Sequence, residues 1–91
     1  MTMKQRLQEE LDHQVLFLAR TYIKMQVAQN YKDFYPSAIL SFNEQMKVVQ
    51  SIFYVAKGTK QSADIMEYLE EYIDKNMDRK AMYDYWEAYF S

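Results

Sequence analysis

The chain has 91 residues, with one Gly, one Pro, one His and no Cys. This length holds one domain, and so few turn-forming residues cannot build a β-sandwich or barrel. A single Gly supplies neither a phosphate loop nor a dinucleotide-binding turn. Without Cys there is no disulfide, thiolate zinc site or cysteine nucleophile, and one His leaves no His-based zinc cluster and little acid–base chemistry near neutral pH. These counts point to an all-α, non-enzymatic domain that needs no cofactor.

The formal net charge of -2 hides a division. Residues 1–60 carry +3 and residues 61–91 carry -5. Such asymmetry can mark a partner surface or steer two copies head to tail, or it can reflect ordinary solvated faces. The opening stretch MTMKQRLQEE is polar, and no apolar run approaches the ~20 residues of a membrane span. A cytoplasmic protein with no membrane partner is expected.

The first helix is predicted over residues 3–31. Thr2 and Gln5 fit a capping box. Leu7, Leu11, Val15, Leu18, Tyr22 and Met25 form one apolar stripe, with Leu16, Ala19, Ile23 and Val27 beside it. The combined face is too wide for one neighbour, so this helix should touch at least two others. A break follows at Asp33 to Ser37, where Asp33 or Ser37 can cap and Pro36 is tolerated in a first turn.

The second helix is predicted over 36–57. Its main stripe is Ile39, Phe42, Met46, Val49, Phe53 and Ala56, while Leu40, Val48, Ile52 and Val55 add apolar surface on other sides. A helix that is apolar nearly all round is central or lies in an oligomer interface. Gly58 reads as the left-handed stop. Ser62 is the expected N-cap of a third helix over 62–76, with Ile65, Met66, Leu69, Tyr72 and Ile73 facing inward. Asp64, Glu67, Glu71, Asp74 and Asp78 form an acidic stripe on the opposite side. Asn76-Met77-Asp78 either kinks this helix or ends it and caps a fourth over 78–90. The expected fold is an antiparallel bundle of three long helices, the last kinked or split into two, in one domain spanning 1–91.

Few patterns carry chemistry. Glu10 and His13 have the E-x-x-H spacing of di-metal helices, but the single His cannot complete such a site. No Ser or Thr has a positioned base in its sequence context. Ser41 and Glu44 match a capping box or are a mid-helix coincidence.

Two surfaces stand out. Seven aromatics lie between Tyr68 and Phe90. On a helix, Met82, Tyr83, Tyr85, Trp86, Tyr89 and Phe90 span an arc of about 160°, wider than the ~100° that a bundle helix buries. Some of these rings should be exposed or lie against another chain. Tyr68, Tyr83, Tyr85, Trp86, Tyr89 and Phe90, with the acidic Glu67, Glu71 and Asp74, are the candidate protein-binding residues. The acidic stripe could also mimic a row of phosphates in a basic groove. Seven Met, five of them placed inside helices (Met25, Met46, Met66, Met77 and Met82), add deformable surface.

The second surface lies on the first helix, where Phe17, Arg20, Lys24 and Tyr31 interleave cations and rings, as nucleic-acid-tracking faces do. The expected function is therefore a regulatory, inhibitory or adaptor module that binds a protein, as homodimer or hetero-complex, in the style of small accessory and phage-encoded bacterial proteins. A nucleic-acid-associated protein and a structural homo-oligomer are the alternatives.

Overall fold

The structure is a computed structural model that describes residues 2–91. It is all-helical: α1 (Met3–Ala28), α2 (Tyr35–Lys57), α3 (Ser62–Asn76) and α4 (Arg79–Phe90). One expected boundary shifts. The first helix ends at Ala28 rather than near residue 31, because residues 29–34 fold into successive turns closed by bonds such as Tyr31 N–H to Ala28 O. Of the two forms expected for the last element, kinked or split, the structure has the split one, so there are four helices and no long third one. Met77 is extended at φ -133 and ψ 151, so it is a cap rather than a helical residue, and Asp78 accepts from the Ala81 amide to start α4.

The other ends follow local chemistry. Thr2 and Gln5 form the capping box, with the Gln5 amide donating to the Thr2 hydroxyl and the Thr2 amide to Gln5 Oε1. Neither Asp33 nor Ser37 caps α2, which starts from Phe34 without a side-chain cap, Pro36 standing in its first turn. Gln61, not Ser62, is the N-cap residue of α3. Gly58 closes α2 at φ 79, a left-handed conformation that side chains with a Cβ rarely adopt. Ser41 lies within α2 and caps nothing.

Packing turns α1 into the spine of an elongated molecule of 45 × 23 × 19 Å. Its two stripes contact all three other helices, as their width requires. α2 runs back along α1: Lys57 lies beside Gln8, Phe42 beside Tyr22, and Ala38 packs in one cluster with Ala28. α3 covers the N-terminal half of α1, where Tyr68 bonds Asp12, and α4 the C-terminal half, where Phe90 meets Val27 and Ala28. The core accordingly has two parts. Leu11, Val15, Leu18, Ala19, Ile23, Val49, Phe53, Ile65, Leu69 and Ile73 form the larger, and Val27, Ala28, Ala38 and Phe90 the smaller. No polar residue is buried among the described residues.

Candidate functional site: the α1–α4 face

The aromatic residues of the C-terminal segment divide by burial. Phe90 is buried, Tyr83 and Trp86 are half-buried, and Tyr85 and Tyr89 are 62 % and 61 % exposed. The geometry explains the division. The inner edge of α4 packs on α1, and the arc is wider than that contact, so the outer rings face solvent. They still form one continuous array. Trp86 contacts Tyr85 and Tyr89 edge-to-face, with ring centroids 5.0 and 5.3 Å apart, and it stacks on Phe90 at 5.7 Å. Phe90 extends the array to Phe34 at 4.8 Å and Tyr31 at 5.5 Å. Edge-to-face pairs of this kind stiffen the rings and add about 0.5–1.5 kcal/mol each beyond their burial.

The basic face of α1 borders the same array. Lys24 Nζ sits 5.1 Å from the Trp86 ring centroid, and Arg20 lies 5.6 Å from that of Phe17. Arg20 and Tyr85 also line one groove of ≈ 430 Å³ with Leu16, Met77 and Met82. Tyr31 donates to Glu87 at 2.6 Å, which pushes its hydroxyl pKa up. Phe17, Arg20, Lys24 and Tyr31 thus join Tyr85, Trp86 and Tyr89 in a single surface. The sequence allows Phe17 and Tyr31 either an open basic face or packing on the C-terminal segment, and Tyr31 takes the second, against Phe90 and Glu87. Met77 and Met82 in the groove are among the methionines expected to add deformable surface, whereas Leu16 in the groove and Phe34 against Phe90 carry no signal of a surface role.

Charge is distributed unevenly across this face. Arg79 bridges Glu70 at 2.6 Å and Asp74 at 3.2 Å, and these bonds hold its pKa above the ordinary value. Lys80 pairs with Asp84 at 2.9 Å, which raises its pKa in the same way. Asp84, Glu87 and Asp74 are therefore each engaged, whereas Arg20 and Lys24 take part in none of the three ion pairs found among the described residues. The aromatic surface has a cationic margin on α1. Glu67 and Glu71 are exposed on α3, but they line the grooves beside Tyr68, not the one beside Tyr85.

Tyr68 belongs to a polar network. Its hydroxyl donates to Asp12 at 2.6 Å and accepts from Gln8 at 2.7 Å, and Lys57 donates to Gln8 at 3.2 Å. Its ring meets Phe53 edge-on at 5.5 Å. Burial first, then the bond to Asp12, pushes the Tyr68 hydroxyl up to about 12. An unfolded Tyr ionises near pH 10. Between these values the unfolded chain has lost a proton that the folded chain keeps, so stability falls as pH rises from about 10 through about 12 and is undiminished below. The melting temperature of Tyr68→Phe should therefore drop less between about pH 9 and pH 11 than that of the parent. An equal drop would exclude Tyr68 as a source of the alkaline loss. Tyr83 likewise donates inward, to Gln26 of α1.

No protein family, curated protein or solved structure matches this chain. Its surface chemistry alone bears on function. Among the described residues no group of three or more His, Cys, Asp or Glu side chains could hold a metal ion. Glu10 and His13 share a wide groove with Arg6 and Glu9, and His13 packs edge-on against Phe17 at 5.0 Å. The hydroxyls of Thr21 and Ser51 donate to the carbonyls of Leu18 and Lys47 within their own helices, and that of Thr59 donates to Asp64. No helix is long and apolar enough to cross a membrane among the described residues.

Proposed function

We propose that this chain is a non-enzymatic protein-binding module whose partner docks on the α1–α4 face. The observation that carries this reading is the exposure of Tyr85 and Tyr89 on either side of Trp86, in an array already held rigid by the core. Large rings fixed in place lose little entropy on binding, which is why Tyr and Trp anchor protein interfaces. Met77 and Met82 in the adjoining groove can reshape around an apolar side chain of the partner. Arg20 and Lys24 at the margin favour a partner with carboxylates beside its apolar anchor.

Affinity capture from the native host, with bound proteins identified by mass spectrometry, tests the proposal. A protein retained by the parent and lost with Tyr85→Ala/Tyr89→Ala is the expected result. The variant also loses the edge-to-face contacts of both rings with Trp86, about 1–3 kcal/mol in all, so unchanged helix content by circular dichroism should accompany the loss of capture. Equal capture by parent and variant would overturn the assignment of this face.

The same juxtaposition of cations and rings supports a second reading, a face that stacks bases and tracks phosphates. An electrophoretic shift of single-stranded DNA or RNA at low salt, lost with Arg20→Ala/Lys24→Ala, would favour it. No shift at low salt, where the phosphate contribution is strongest, would exclude it.

A further inference from the structure

The side of α2 turned away from the core carries aliphatic side chains that nothing in the protomer covers. Leu40, Val48 and Val55 are 58 %, 44 % and 69 % exposed. With Glu44 and Ser51 they fall within an arc of about 80°, centred about 170° from the stripe that enters the core. Their three- and four-residue spacings are those of a seam between two packed helices. We propose that this seam joins two copies of the chain as an antiparallel α2–α2 pair, with the twofold axis beside Lys47 and Val48.

The seam matches its own reverse. With the axis between residues 47 and 48, Leu40 falls opposite Val55 of the other copy and the long Glu44 opposite the small Ser51, while Val48 lies level with Lys47 of the other copy and about 1.5 Å along the axis from its own counterpart. Charge completes the match. Glu44 and Lys47 are exposed, and neither takes part in the ion pairs of the protomer. At 1.5 Å per residue, Glu44 lies about one helical turn from Lys47 of the other copy. The two lysines stand beside each other at the axis with one carboxylate a turn beyond each of them, so the group of four carries no net charge. A parallel pair would instead set Glu44 against Glu44 and align the helix dipoles unfavourably. Three aliphatic side chains along one helix make a small interface, which fits a reversible dimer and not a permanent one.

Sedimentation equilibrium of the full chain from about 1 µM to about 1 mM tests this. The expected result is a monomer–dimer equilibrium. Val55→Glu should abolish it by setting a carboxylate directly against the aliphatic Leu40 of the other copy. Glu44→Lys alone and Lys47→Glu alone should each weaken association about tenfold, because two pairs are affected at once, and the combined exchange should restore it. All these positions are exposed, so circular dichroism should show unchanged helix content. A monomer throughout the range would overturn the proposal. A dimer indifferent to Val55→Glu, or a double exchange that fails to restore association, would overturn it equally.

Discussion

Phe90→Ala is expected to release α4 from α1. Phe90 is the only buried residue of α4, 7 % exposed, and it closes the smaller core cluster against Val27, Ala28 and Ala38. Truncating a buried Phe costs about 3–5 kcal/mol. A 12-residue helix is too short to persist alone in water, so it stays helical only while docked. The larger cluster holds α1, α2 and α3 together without Phe90, so the loss should appear as local undocking and not as global unfolding. Trp86 is the sole Trp and lies on the docked helix, which makes it the reporter. Its emission should shift to the red, and amide exchange across Arg79–Phe90 should approach the unfolded rate while α1 stays protected over Leu11 to Leu18. Unchanged emission and exchange would show that the aromatic array, not Phe90, anchors α4. The proposed docking face depends on this anchor, so partner binding should disappear with it.

Leu18→Ala is expected to be the most damaging change in the larger core. Leu18 has no exposed surface and sits mid-way along α1, the helix that all the others contact. Replacing a fully buried Leu by Ala costs about 3–5 kcal/mol, comprising the lost transfer energy and the cavity left behind. For a domain of this size each 1 kcal/mol lowers the melting temperature by about 4–8 °C, so a fall of more than 10 °C is anticipated. The helix cannot close the cavity by shifting, because α2 and α3 pack on it from two sides. Met3→Ala removes a side chain of similar size that is 82 % exposed, and it should cost about 0.5 kcal/mol or less. A urea titration of the two variants beside the parent measures the contrast. Equal midpoints for the two variants would contradict the placement of Leu18 at the centre of the core.

Much of the fold is legible along the chain. The stripes of α1 and α3 and the main stripe of α2 identify inward residues because helical periodicity is a local property, and each of these positions is at least half-buried in the structure. Thr2, Gly58 and Asp78 act at helix ends as their side chains and backbone preferences dictate. The end of α1 is less legible: nothing in Gln29 to Tyr31 distinguishes a helical residue from one in a compact turn, and in the structure Tyr31 packs from that turn against Phe90. Tyr68 shows the same limit. It resembles the other C-terminal rings in sequence, yet Asp12 and Gln8 of α1 turn it inward.

By itself, the sequence determined the helical class, the core-facing stripes and the excess of aromatic surface on α4, because each depends on residues within a few turns of one another. Tertiary structure decided which rings remain exposed and which charges remain unpaired. It brought Arg20 and Lys24 beside Trp86 and Tyr85, and it bound Asp74 to Arg79. It also left Leu40, Val48 and Val55 uncovered. These outcomes follow from how separate helices dock. Docking is set by the fit of whole faces around α1, and no local pattern encodes it.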